Sequence, residues 1–518
     1  MAAHRPARVL MIALDAAEPR LIEQWMDEGV LPHLARLRAR GVYGRLASTS
    51  EWLSGSVWST FYTGTLPSDH GIFNLLQWRA DRMAHARPTP EWLPARPFWR
   101  KLSSAGPRVI ALDIPMVYSP EPMNGVEISG WATHDRLAPP ASSPPSLMRW
   151  VRREFGPPHL KKEGSSHRRP DALLRLRDEL IRATDRVTAL GVALMQRESW
   201  ELLLCGFSAL HRGGHMLWNL PGNRKDLPPR YHAALSKALR DVYTACDTAV
   251  GRLVESAGDD ATVLVFSLHG MGPNTSRAEI VLPKMLSRVL AKQGAQEPVR
   301  EQGSRLERWR RRIPVEWRSS IRRRLPVSWQ DRLTAFWRMG RIDWSVTPAI
   351  CQIADAQGCI RINLRRREAA GIVEPGSDYD RLCEEIVEGL HTFVDADTGE
   401  PVVQRVERID HVYPDGARRD RLPDLLVCWS DTPADRHRVI RSPHFGSIPW
   451  PTPGTHPDGR SGNHGGEGFL IAAGDHIPPG STLDGAHIVD LAPTVYALFG
   501  LPKPPEMRGK FLPLIDPH

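Results

Sequence analysis

Val9-Leu10-Met11-Ile12-Ala13-Leu14 is an unbroken apolar run that ends on an acid, Asp15. A run this short, closed by a charge, suits a strand buried on both faces, as strands of parallel sheets are. Comparable runs recur at Val109–Leu112, Glu201–Phe207, Thr262–Ser267 and Phe469–Ala473. Between them, apolar spacing predicts helices over Leu21–Arg40, Ala172–Gln196, Tyr231–Ser256 and Asp490–Phe499, the last stopped by Gly500. Strands alternating with helices predict an α/β fold with a mainly parallel sheet flanked by helices.

Composition narrows the class. The 518 residues, 41% of them hydrophobic, suffice for a large core. Asp15 interrupts the first apolar run before it can serve as a secretory leader, and no stretch approaches the roughly 20 apolar residues that span a bilayer. The six cysteines (Cys205, Cys246, Cys351, Cys359, Cys383, Cys428) include no CxxC pair and read as reduced thiols of a cytoplasmic protein.

The formal charge of +9 is local: residues 305–341 hold 12 arginines, no lysine and three acids, which alone gives +9. The remainder is near neutral, which argues against a specific nucleic-acid partner. In the same stretch Leu306, Trp309, Ile313, Trp317, Ile321, Leu325, Trp329, Leu333 and Trp337 recur at helical steps, broken at Pro314 and Pro326. The stripe predicts short helices packed on the core; a lid over an anionic substrate and a peripheral membrane contact are the alternatives. Residues 276–440 depart from the strand–helix rhythm. They read as a cap or insertion that divides the core into 1–275 and 441–518.

The chemistry-bearing residues fall at strand ends. Asp15 ends the first strand, His211 and His215 follow the strand that ends near Phe207, and His269 follows Ser267. His464 lies in a glycine-rich loop just before Phe469. Open parallel sheets bind ligands at the carboxyl ends of their strands, so these side chains can converge. Imidazole and carboxylate suit one or two divalent ions, zinc above all. The pair His211 and His215, at i and i+4, can share one face of a turn or helix. Ser54 opens a loop that feeds a short helix ending at Gly64. A serine there serves either as a plain helix cap or, with a metal on its oxygen, as a nucleophile.

The stretches Val9–Asp15, Gly44–Thr49, Ser54–Gly64, Pro67 and His70-Gly71-Ile72 resemble the amino-terminal signature of the alkaline phosphatase superfamily. The type I phosphodiesterase/nucleotide pyrophosphatase branch is the one most resembled. The likeness continues through Ile114–Tyr118, Ile128–Gly130, Ser267–Gly270, Ile360–Asn363, Arg367-Glu368, Gly371–Val373 and Leu422–Asp424, and closes with His464 and Asp490–Thr494.

The resemblance implies an alkaline phosphatase-like fold and a nucleophile at Ser54. It implies one metal site with Asp15, Ser54 and His269, another with His215 and His464, a structural His70, and a phosphate contact at Asn74. Two positions depart from the family: His211 and Leu268 stand where carboxylates are usual. His211 would complete a tri-histidine site with His215 and His464, leaving the metal pair more positive and the Asp15 site the weaker one. Asn274 and His456 are candidates to replace a lost ligand.

The expected reaction is metal-dependent hydrolysis of a phosphodiester or pyrophosphate, a small anionic substrate, through a phospho-serine intermediate. The alternatives are a sulfatase, a phosphonate hydrolase or a phosphotransferase on the same scaffold, and a catalytically silent anion-binding protein.

Overall fold

The computed structural model describes residues 8–93, 96–134, 136–157, 169–220, 228–291, 329, 342–451, 453–454, 456–480 and 482–514. The basic stretch 305–341 lies outside the described residues except for Trp329, which is exposed.

Eight strands form the central sheet. In chain order they are β1 (Arg8–Leu14), β2 (Gly41–Ala47), β3 (Val109–Leu112), β4 (Gly125–Ser129), β5 (Ala141–Ser143), β6 (Leu202–Phe207), β7 (Ala261–Ser267) and β8 (Glu467–Ala473). Their spatial order is β2-β8-β7-β1-β6-β3-β4-β5. β7, β1, β6, β3 and β4 are parallel, whereas β8 runs against both β7 and β2, and β5 against β4.

Side chains alternate across each strand, so β1 feeds two cores. Leu10, Ile12 and Leu14 pack with Ile22, Leu34, Leu180 and Val250 on one face. These partners come from α1 (Pro19–Asp27), α2 (Pro32–Arg40), α4 (Pro170–Arg197) and α6 (Pro229–Ala257). Val9, Met11 and Ala13 pack on the other face with Trp58, Phe61 and Val495, from α3 (Val57–Thr63) and α7 (Leu491–Leu498). α5 (Ala209–Leu217) follows β6. Burying each large aliphatic side chain contributes roughly 1.5–3 kcal/mol, and the two faces together give the helix–sheet–helix layering expected of an α/β core.

The single helix expected over Leu21–Arg40 is two helices. Gly29 turns into the left-handed region at φ 73° and Pro32 starts the second helix, where a missing N–H costs nothing. β2, β4 and β5 were not visible as apolar runs. All six cysteines are free. Among the described residues no helix is long and apolar enough to cross a membrane.

A second, antiparallel sheet is built from Ala349–Cys351, Gly358–Ile362, Leu425–Trp429 and Val403–Arg408, in that order. It shares an apolar cluster with the helices Leu282–Ala291 and Ser377–His391, and that cluster also takes in Leu53 and Phe73. This sheet therefore leans on the loop that carries Ser54.

The β7–β8 pairing is close at Gly468, where a Cβ would stand 2.0 Å from the Ser267 carbonyl oxygen. Gly468→Ala should lower stability by about 3 kcal/mol, the scale of overpacking a rigid contact. Chemical denaturation checks this; an unchanged midpoint would contradict the register.

Candidate metal centre

The parallel strands send their exits to one edge of the sheet. Asp15 follows β1, His134 follows β4, His211 and His215 lie on α5 just after β6, and His269 follows β7. His464 precedes β8, but β8 runs antiparallel to β7, with Phe469 opposite Ser267, so its entry lies at the same edge. β2 pairs antiparallel with β8, placing Ala47 opposite Glu467, and its exit leads to Ser54 from that edge too.

A short antiparallel ladder then tightens the cluster by pairing Met271 with His464 and Pro273 with Gly462. Its chain fixes His215 twice: Ser461 N donates to the His215 carbonyl at 2.8 Å, and the Gly462 carbonyl lies 3.0 Å from His215 Nδ1. A proton on Nδ1 leaves Nε2 as the bare nitrogen, turned to His211 Nε2 at 3.2 Å.

Three groups of side chains hold ligand atoms within 4.8 Å of one another: Asp15–His134–His211, His211–His269–His464, and His215–Asp355–His464. Asp15 is at the centre of the first. Its Oδ2 lies 3.2 Å from His211 Nδ1 and 3.4 Å from His134 Nε2, while Oδ1 accepts from Trp58 Nε1 at 3.2 Å. His269 Nε2 approaches Oδ1 at 3.7 Å, and His269 Nδ1 lies 3.3 Å from His464 Nδ1. Asp355 Oδ2 lies 3.2 Å from His464 Nε2.

The electrostatics favour the ligating forms. Burial, and then the neighbouring imidazoles, hold His211 and His269 well below the ordinary histidine range, so both rings are neutral with a lone pair available. Burial pulls Asp355 upward, but Arg460 and then His464 outweigh it and keep the carboxyl well below its usual range. The donor set of imidazoles and carboxylates fits a divalent ion such as zinc.

Leu268 is buried in the apolar cluster beneath α3 and presents no ligand. His211 turns inward, between Asp15 and His215. Asn274 and His456, considered as replacements, brace backbone instead. Asn274 accepts from Ser276 N and donates to the Arg460 carbonyl, and His456 pairs with Asp458 and the Ser276 carbonyl.

Ser54 begins a 3-10 turn, Ser54–Ser56, that runs into α3. It is not a cap: Leu53 and Ser56 hold the N-cap positions, and neither side chain makes a capping bond. Ser54 lines a cleft with Asn74, Asp355 and Gln357. Gly55 permits this, since a Cβ there would sit 2.4 Å from the Phe73 carbonyl oxygen and 2.9 Å from Asn74 Cα. Asn74 Oδ1 accepts from Leu76 N at 3.0 Å, which fixes the amide and leaves its NH2 end as the donor.

Two residues at the site went unread in the sequence. His134 follows a strand, Gly125–Ser129, too short and mixed to register as an apolar run; the strand-end rule finds it once that strand is known. Asp355 sits in a turn of the second sheet, between Cys351 and Gly358, and nothing in Ala354-Asp355-Ala356-Gln357 marks it as a ligand.

His70 lies beside this site as a brace. Its Nδ1 accepts from Ile72 N at 3.0 Å, so Nε2 carries the proton and donates to Thr60 Oγ1 at 3.1 Å. Burial, helped by Arg418, pushes its pKa down to about 3 from 6.5. The unfolded chain therefore binds a proton below pH 6.5 that the folded chain refuses; this contribution is complete above pH 6.5 and is lost as pH falls toward 3. His70→Asn, which keeps an acceptor for Ile72 N without titrating, should show a shallower loss of stability between pH 7 and pH 4 (roughly this window). Denaturation midpoints measure it, and parallel slopes would contradict the buried neutral ring.

The sequence matches the family described as "Type I phosphodiesterase / nucleotide pyrophosphatase" over residues 9–432. No curated protein matches. Phosphonoacetate hydrolase from Sinorhizobium meliloti 1021, solved with phosphonoformate, superposes with a TM-score of 0.52 at 14% identity, covering 95% of each chain. Its complex with phosphonoacetate gives 0.51 at 13% identity, also covering 95% of each chain. Murine ectonucleotide pyrophosphatase/phosphodiesterase 5 gives 0.48 at 11% identity, with 96% of each chain covered. At such identities the hydrolase superpositions speak for a shared alkaline phosphatase-like fold. The family match spans most of the chain, and the chain belongs to the type I phosphodiesterase/nucleotide pyrophosphatase family, phosphoric ester hydrolases of the alkaline phosphatase superfamily.

Proposed function

We propose that the protein is a metal-dependent hydrolase of phosphodiester or pyrophosphate bonds that uses Ser54 as its nucleophile. The observation that carries this is the convergence of Asp15, His211, His215, His269 and His464 on one sheet edge, next to the cleft that Ser54 lines with Asp355. Neutral imidazoles and carboxylates packed this closely have few roles besides holding a cation.

In this reading Asp15, His211, His215, His269 and His464 hold one or two divalent ions, with zinc favoured by the donor set. Bound ions would supply Lewis-acid polarisation of the serine hydroxyl and offset charge gathering on the phosphoryl oxygens. The serine oxygen forms a bond to phosphorus as the bond to the leaving group breaks in line, and the leaving oxygen takes up a proton. Water then breaks the Oγ–P bond, which restores the hydroxyl and releases the phosphorylated product. The amide of Asn74 would donate to a phosphoryl oxygen, a role supported by its lining the same cleft as Ser54. The packing of the second sheet against Leu53 and Phe73 supports reading residues 276–440 as a cap that shapes the substrate cleft.

Ser54→Ala tests the mechanism. With no cap bond to lose, the variant should keep its stability to within about 1 kcal/mol. Loss of a nucleophile should cost several powers of ten in turnover. A panel of p-nitrophenyl phosphodiester, phosphomonoester and sulfate esters with phosphonoacetate checks both rate and substrate class. Near-normal rates in the alanine variant would exclude the serine mechanism, and turnover of the sulfate ester or phosphonate alone would reassign the substrate.

A further inference from the structure

The family resemblance leaves the cluster short of two carboxylates, at His211 and Leu268. The second sheet brings one back. We propose that Asp355 is a metal ligand, joining His215 and His464 to form a two-histidine, one-carboxylate site whose acid comes from the insertion. The inference rests on the metal-dependent reading above and names one of its ligands.

Two ligands on a tetrahedral ion, each bonded at roughly 2.0–2.1 Å, stand about 3.3 Å apart. Asp355 Oδ2 and His464 Nε2 are 3.2 Å apart, the edge length of such a site. His215 supplies the third corner through Nε2, since its Nδ1 is turned to the Gly462 carbonyl. Two histidines and a carboxylate are the protein ligands of one class of catalytic zinc site, and His211 Nε2 lies beside them, 3.2 Å from His215 Nε2.

The turn that carries Asp355 is anchored from several directions. Arg460 Nη1 binds Oδ1 at 2.5 Å, which fixes the carboxylate plane and leaves Oδ2 aimed at His464. Ser276 Oγ donates to the Asp355 carbonyl at 2.7 Å. Two residues on, Gln357 Nε2 donates to the Ser50 and Glu51 carbonyls at 2.7 and 2.9 Å, tying the turn to the loop that leads into Ser54. Outer contacts of this kind orient metal ligands. The one carboxylate thus links the insertion, the metal position and the nucleophile loop.

The test is metal binding by the full chain. Purified wild type, Asp355→Asn and Arg460→Met are dialysed, assayed for zinc, and titrated with zinc against a chromophoric chelator. Asp355→Asn should weaken one site by about 100-fold or more, and Arg460→Met, which loses only an orienting contact, by about 10-fold. Circular dichroism verifies the fold. If the asparagine variant does not fold, Asp355→Glu substitutes for it. Its cobalt-loaded form should show altered visible absorption bands relative to cobalt-loaded wild type, because the ligand's reach has changed. Zinc affinity unchanged in Asp355→Asn, or cobalt bands unchanged in Asp355→Glu, overturns the assignment and leaves the hydrolase reading intact. A wild type that takes up no zinc or cobalt overturns the metal-dependent reading itself.

Discussion

Strand direction governs everything at this site. Parallel pairing of β1 with β6 and β7 sends Asp15, the α5 histidines and His269 out of the sheet at the same edge. The exit of β2, which runs in the same sense as β7, brings Ser54 to that edge, and the entry of antiparallel β8 brings His464 there from the opposite sense of travel. A one-residue slip of β1 would exchange the side chains that its two buried faces send into the two cores, so packing on both faces holds the register that the chemistry needs. Residues more than 400 positions apart, Asp15 and His464, thus share a cluster by virtue of core packing.

What the sheet brings together, electrostatics would not leave unattended. Several imidazoles and a buried Asp15 are crowded into contacts of 3.2–3.7 Å, many of them between atoms that cannot all donate. Burial keeps His211 and His269 neutral, which avoids mutual repulsion and preserves their lone pairs. Neutral imidazoles and carboxylates gathered this closely are favourable around a cation. The surrounding frame is correspondingly fixed. Asp113, itself pushed up to about 6 by burial, accepts from Trp131 N and Ala132 N and holds the loop that bears His134. Glu18 accepts from Met271 N and steadies the loop after His269.

The sequence was most legible where burial was complete. The β1, β3, β6, β7 and β8 runs stand out because both of their faces are covered, and the long helices because their stripes continue for many turns. The break between α1 and α2 was written in Gly29 and Pro32 but masked by an apolar rhythm that continues across it. Short or mixed strands such as Gly125–Ser129 carry too few residues for periodicity to register, and His134 was lost with that strand. Asp355 was beyond reach for a different reason: its placement depends on how the second sheet docks beside Ser54, a tertiary fact with no local signature. The tri-histidine grouping that the resemblance implies meets the same limit. The sequence lets His211 and His215 share a face of a turn or helix, but does not show that His211 also faces Asp15 or that Asp355 lies beside His464.

The account turns on a covalent step at Ser54 in front of this cluster, and the stereochemical course at phosphorus interrogates that step without a mutation. A phosphodiester made chiral at phosphorus with sulfur and oxygen isotopes is hydrolysed by the wild-type protein, and the configuration of the product is read by phosphorus NMR. Two in-line displacements, one by Ser54 and one by water, predict net retention. Inversion would mean that water attacks directly and would contradict the phospho-serine intermediate.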